Sequence, residues 1–184
     1  MPKENTTIYA ILGLLTHKDM SGYDIKKTID MTISYYWDVG YGQIYPTLKT
    51  LEKDGLVTKS VKTNGKGPNR IVYSITEAGK EKLTGWLSNP AGKEYVKYEI
   101  LLKICFGNLL PFDENIKKIS EFQDKSKKNL EMMNMFKENL DKVMEEDEAH
   151  HYYYLTVLFG LHTYKAYVNW ADEAMEILKK LKSK

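Results

Sequence analysis

VGYGQIYPTLKTLEKDGLVTKSVKTNGKGPNRIVYSI, residues 39–75, is the stretch whose reading decides the fold. Ile44, Leu48 and Leu51 recur at i, i+4 and i+7, one face of a 3.6-residue helix. The other face carries Gln43, Tyr45, Thr47, Lys49, Thr50 and Lys53, all able to donate a hydrogen bond. Pro46 is expected in or near the first turn, where its missing N–H costs least. Gly55 is expected to end the helix, because glycine takes the left-handed conformation without penalty. Leu56–Thr63 then reads as a strand, Asn64–Asn69 as a turn-rich tip and Arg70–Ile75 as the return strand. A polar helix face beside a positive hairpin suits duplex DNA. The helix enters the major groove while the hairpin meets backbone phosphate.

Composition bounds this reading without deciding it. A chain of 184 residues is long enough for one domain or two small ones, and 42% hydrophobic residues suffice for a core. The net charge of +2 is too mild to mark a nucleic-acid binder, so the distribution of charge carries more weight. Lys59, Lys62, Lys66 and Arg70 lie between positions 57 and 70 with no acid among them, and Arg70 is the only arginine in the chain. Four such charges also suit a hairpin that merely keeps its edge soluble, and on charge alone both readings stand.

Working towards the amino terminus, Thr6 and Thr7 offer a cap for a short amphipathic helix through Ile8, Leu12 and Leu15, ending near His17. Ser21 caps a second helix through Tyr23, Ile25, Ile29 and Thr32, with Asp24 placed for a capping box. His17 reads as structural, with no second ligand at useful spacing. Tyr35, Tyr36 and Trp37 read as packing at the back of the small domain, or alternatively as a ligand shelf. Beyond the hairpin, Thr76 and Glu77 open a fourth helix through Ala78, Leu83, Trp86 and Leu87, stopped by Asn89–Pro90. The order αααββα is a winged helix-turn-helix, with a short pairing strand expected in the loop before the third helix.

The segments YAILGLL (Tyr9–Leu15), SGYDI (Ser21–Ile25), GQIYPTLKTLEKDGLV (Gly42–Val57) and GPNRIVYSITEAG (Gly67–Gly79) together resemble the PadR family of bacterial transcriptional regulators. The resemblance runs through the first ~90 residues in order, across several separate motifs. It implies a dimeric winged-helix repressor released from its operator by a small molecule. It also implies DNA contacts at Gln43, Tyr45 and Lys49 on the helix, and at Lys66, Asn69 and Arg70 on the wing. The helix itself holds only Lys49 and Lys53, so guanine readout by arginine is not expected there; Gln43 suits adenine, while Tyr45 and Thr47 suit phosphate or a thymine methyl, which makes Thr47 a further DNA-binding candidate.

The first ninety residues carry 12 basic and 9 acidic side chains, the remainder 15 and 16. Residues 1–90 are therefore read as the DNA-binding domain and 91–184 as an α-helical dimerisation and effector-binding domain, jointed at Pro90–Gly92. The overall class is mainly α with one small β-hairpin. Lys93–Leu110 reads as a buried helical stripe that includes Tyr95, Tyr98, Leu102, Cys105, Phe106 and Leu109, with Cys105 as a buried small hydrophobe. From Phe112 to Asp147 apolar residues step by threes and fours, apart from one polar interval around Ser126, giving a helix about 50 Å long that needs a partner for its stripe. Ala149–Leu181 is lined on more than one face, which suits contact with both its own subunit and a twin. This half fits the helical carboxy-terminal domain that the resemblance implies for larger family members.

A homodimer places two wings on half-sites ~34–36 Å apart on a palindromic operator in double-stranded DNA. An aromatic or phenolic effector that alters the angle between the two arms would misplace both recognition helices. Its expected site lies between the winged domain and the C-terminal helices, with Tyr98, Phe106, His162 and Trp170 as candidates. The same four residues also suit the core of the dimer. Catalysis is not expected. Glu148, His150, His151 and His162 lack the spacing for one metal, and neither a phosphate-binding loop nor a nucleophile elbow is present. No cofactor or metal is expected, one cysteine allows no internal disulfide, and the first apolar run is too short to span a bilayer. With no small-residue cleavage site behind that run, the cytoplasm is the expected location. The competing reading is a helical adaptor whose winged domain binds protein, which would show no salt-dependent duplex binding.

Overall fold

The computed structural model describes residues 5–62, 69–92 and 96–183. The chain divides into two compact units, Met1–Lys93 and Glu94–Lys184. In the first, α1 (Thr7–Leu15), α2 (Gly22–Thr32) and α3 (Tyr41–Lys53) precede β1 (Val57–Lys62), β2 (Arg70–Ile75) and α4 (Glu77–Leu87). Each boundary has a local cause. Ser21 is extended, its hydroxyl accepts from the Asp24 amide and the Asp24 carboxylate accepts from the Ser21 amide, a complete capping box. Gly55 adopts φ +70°, the Gly55 amide donates to Glu52 and the Leu56 amide to Leu51, which closes α3 as a Schellman motif.

Two expectations are corrected here. Because α3 starts at Tyr41, Pro46 lies in the second turn rather than the first, and its missing N–H deprives the Gly42 carbonyl of a helical partner. The short pairing segment lies before α2, not before α3. The Met20 amide donates to Tyr73 (3.1 Å) and the Tyr73 amide to Met20 (2.8 Å), so Met20 adds a third edge to the antiparallel β1–β2 hairpin. Met20 is itself in the core, alongside Ile11, Leu12, Ile25, Ile44, Leu48 and Leu51. Trp86 of α4 stacks on Tyr9 of α1 at 4.4 Å between ring centroids. Tyr36 and Trp37 stay exposed, so only Tyr35 of the aromatic triplet is partly packed.

The second unit contains α5 (Glu99–Cys105), a 3-10 turn at Gly107–Leu109, α6 (Phe112–Val143) and α7 (Ala149–Lys182). The two long helices run antiparallel. Lys182 near the end of α7 meets Asp113 at the start of α6 (2.6 Å), and His150 Nδ1 near the start of α7 meets the Val143 carbonyl at the end of α6 (2.6 Å). Ile119 and Met133 of α6 and Val157 and Ala171 of α7 form the seam. Gln123, buried in that seam, donates to the Asp172 carboxylate (2.6 Å) and the Val168 carbonyl (3.2 Å).

The buried stripe expected over 93–110 is not formed. α5 is a seven-residue helix without a buried residue, Cys105 is exposed, and the chain then tightens into the 3-10 turn, where the Asn115 side chain donates to the Gly107 carbonyl (2.8 Å). Tyr95 lies outside the described residues. The apolar groups in this run are there, but α6 covers none of them fully.

Candidate nucleic-acid interface

The face of α3 opposite the core presents Tyr41, Gln43, Tyr45, Lys49, Thr50 and Lys53 to solvent, while Ile44, Leu48 and Leu51 are fully buried. Tyr41 and Tyr45 stack at 6.4 Å, one turn apart, so both phenols are held on the same side. The Tyr45 ring also lies on the first turn of α2, where a Cβ built on Gly22 would stand 2.7 Å from it. The Thr50 hydroxyl is taken within the helix, donating to Pro46 (3.1 Å). Gln43 and Lys49 flank the exposed strip, and neither side chain forms an ion pair or hydrogen bond among the described residues.

Thr47 corrects the expectation. It is 2% exposed, and its hydroxyl accepts from the Asn5 side chain at 3.3 Å. At 100° per residue Thr47 sits only about 60° from Ile44 and closer still to Leu51, within the width of an apolar stripe. The angle was available from spacing, and the hydroxyl obscured it.

On the hairpin, Lys59, Lys62, Asn69 and Arg70 are exposed, whereas Lys66 lies outside the described residues. Register places Lys62 directly across from Arg70. Two cations opposite one another are unfavourable, and each is met by an acid from the α1–α2 region: Lys62 pairs with Asp19 (3.1 Å) and Arg70 with Asp24. Arg70 Nε also donates to the Ser21 hydroxyl (3.2 Å). The expectation that Arg70 is a free phosphate contact therefore meets a side chain already occupied on two sides. Lys59 has no ion pair among the described residues and stands as the available hairpin cation. Residues 19 and 24 gave no sign in the sequence that they belong with the wing, since more than forty positions separate the partners.

The four effector candidates do not form one site within the second unit. Tyr98 and Trp170 share an aromatic cluster. The Tyr98 hydroxyl hydrogen-bonds that of Tyr167, and Phe122 packs against both Tyr167 and Trp170 at 5.6 Å. Burial, then the Tyr98 hydrogen bond, pushes the Tyr167 phenol well above its ordinary pKa, so it stays protonated. Phe106 instead lines a groove of about 440 Å³ with Leu102, Leu109, Leu110 and the stems of Lys103 and Lys118. His162 is exposed on α7 and lines neither. Among the described residues no group of three metal-ligating side chains occurs, and no described helix is long and apolar enough to cross a membrane.

Residues 11–85 match the transcriptional regulator PadR-like family, and residues 96–179 match the family described as virulence activator alpha C-term. The negative transcriptional regulator PadR of Bacillus subtilis is 30% identical over 179 residues, covering 94% of this chain and 97% of that protein. Among solved structures, Bacillus subtilis PadR in complex with operator DNA matches with a TM-score of 0.80 at 28% identity, over 95% of this chain and 99% of that one. The same regulator in complex with p-coumaric acid matches with a TM-score of 0.70 at 28% identity, over 96% and 98%.

Proposed function

The chain belongs to the PadR-like family of transcriptional regulators, and we propose that it binds a palindromic operator as a homodimer and represses transcription from it. The observation that carries this reading is the division of α3. Its core face is fully buried, and its outer face offers two stacked tyrosines, an amide and a lysine on a helix long enough to enter a major groove. Gln43 is assigned base readout, Tyr45 and Lys49 the backbone alongside, and Lys59, Lys66 and Asn69 the phosphates under the wing. The relative's complex with operator DNA supports DNA as the partner.

Selection of bound sequences from a random duplex pool tests the reading. The expected product is a palindrome with half-sites one helical turn apart, bound with steep salt dependence. Failure to enrich any duplex, or salt-independent retention, favours the adaptor instead. On the selected duplex, Lys49→Ala should weaken binding across all sequences and lower the salt slope by about 1, whereas Gln43→Ala should relax preference at one position per half-site. Identical specificity profiles for Gln43→Ala and the parent would remove Gln43 from base readout.

An aromatic or phenolic effector is proposed on the strength of the relative's p-coumaric acid complex and of the cluster around Tyr167. Such a ligand releases DNA only by favouring one dimer arrangement over another, so tight binding alone is insufficient. Titration of small phenolic acids, following tryptophan fluorescence together with operator release, should show both signals change at the same concentration. A fluorescence change without release would make the compound a bystander.

A further inference from the structure

Taking the DNA-binding reading above as its basis, we infer that the six residues Asp19–Asp24 position the wing against α3, and that Arg70 is a tie within this element and not a phosphate contact. Each part of the segment grips something different. Asp19 accepts from the Ser74 hydroxyl and pairs with Lys62, and these partners hold its carboxyl below the usual carboxylate range. Met20 exchanges two backbone hydrogen bonds with Tyr73. Ser21 and Asp24 together occupy Arg70, through Nε and the terminal guanidinium nitrogen respectively. Burial raises the Asp24 pKa, but the Ser21 hydroxyl and amide, with Arg70, outweigh it and keep the carboxyl ionised. Gly22 seats the Tyr45 ring of α3, which any Cβ would displace.

One short segment thus holds both strands of the wing on one side and a DNA-facing tyrosine on the other. The charges at this corner cancel. If Arg70 swung out to a phosphate, Asp24 would be left unpaired beside a polyanion, and the capping box would lose the cation that stabilises its carboxylate. Holding Arg70 on Asp24 avoids both costs, and the planar guanidinium reaches the Ser21 hydroxyl and the Asp24 carboxylate at once, which a lysine ammonium on a longer stem does poorly.

The two roles for Arg70 predict opposite signs for the same substitution. Asp24→Asn keeps an oxygen for the Ser21 cap and removes the charge. If Arg70 were a phosphate contact restrained by Asp24, freeing it would tighten binding. As a tie, its loss loosens the wing. The expected result, on the duplex selected from the random pool and well below the melting temperature of each variant, is that Asp24→Asn and Arg70→Ala each weaken binding about three- to tenfold. The double variant should be no weaker than the worse single one, with the salt slope unchanged throughout. Arg70→Lys, which keeps the positive charge, should also weaken binding. Gly22→Ala should weaken binding in the parent and be silent in a Tyr45→Ala background. Tighter binding by Asp24→Asn, a slope lower by about 1 for Arg70→Ala, full affinity for Arg70→Lys, or an equal cost of Gly22→Ala in both backgrounds would each overturn the assignment. A parent protein that selects no duplex would instead overturn the DNA reading itself, a result seen before any variant is made.

Discussion

Gly79→Ala is expected to lower the stability of the amino-terminal unit by about 3 kcal/mol. A Cβ at this position would lie 2.2 Å from the Leu56 carbonyl oxygen, 2.8 Å from Ile75 Cγ1 and 3.2 Å from the Leu56 carbonyl carbon. The nearest obstacle is backbone, which no rotamer change removes, and that backbone is pinned. The Leu56 amide donates to Leu51 to close α3, and its carbonyl accepts from the Thr76 amide at 3.1 Å. The Thr76 hydroxyl in turn donates to the Gly55 carbonyl (2.8 Å) and accepts from the Gly79 amide (3.1 Å). Relief of the clash must therefore give up the end of α3, the start of α4 or the base of the hairpin. For a unit of this size the loss corresponds to a melting shift of roughly 10–20 °C. Gly85→Ala in the same helix is the control. Nothing stands within 4 Å of its Cβ, so the change should be neutral or raise stability by up to about 1 kcal/mol. A Gly79→Ala protein that melts with the parent would show that the joint is looser than these contacts require.

This joint also shows which kinds of feature a sequence reveals. Ser21 with Asp24, Gly55 after α3 and the return strand Arg70–Ile75 after its turn-rich tip were legible because each is a rule about neighbours within a few residues. The two long helices were legible because a 3.6-residue period sustained over thirty residues has no competing interpretation. The pairing of Met20 with Tyr73 and of Asp24 with Arg70 was not, since neither partner carries a local mark of the other. The stripe over 93–110 failed for a different reason. Periodicity reports that a face is apolar, not what covers it, and Leu102, Phe106 and Leu109 remain exposed within their own unit. For the DNA-facing set the helix face was legible; the hydroxyl of Thr47 was misleading, because residue type does not give the angle at which a side chain sits, and the partners of Arg70 left no local mark.

The same limit of periodicity makes α7 the place where dimerisation is best tested. Tyr152, Leu155 and Phe159 lie at i, i+3 and i+7 and are 63%, 60% and 66% exposed, while Val157, Gly160 and Ala171 face the seam with α6. An aromatic and aliphatic strip of this kind is rarely left wet in a soluble protein, and a homodimer accounts for it. Leu155→Arg combined with Phe159→Arg leaves the intramolecular seam untouched, since neither side chain is buried in it. In a subunit interface the two guanidinium groups would be desolvated without partners, a penalty large enough to separate the subunits. The doubly substituted protein is expected to sediment as a monomer and to lose about 10²–10⁴-fold in affinity for the full palindrome, because its two half-sites are no longer engaged as one ligand. Its affinity for a duplex carrying one half-site should equal that of the parent, which separates loss of linkage from damage to α3. A protein that stays dimeric at micromolar concentration would place the interface elsewhere. One that is monomeric yet binds the palindrome as before would remove two-fold symmetry from the mechanism, and with it the geometric basis on which an effector could release DNA by changing the distance between the two recognition helices.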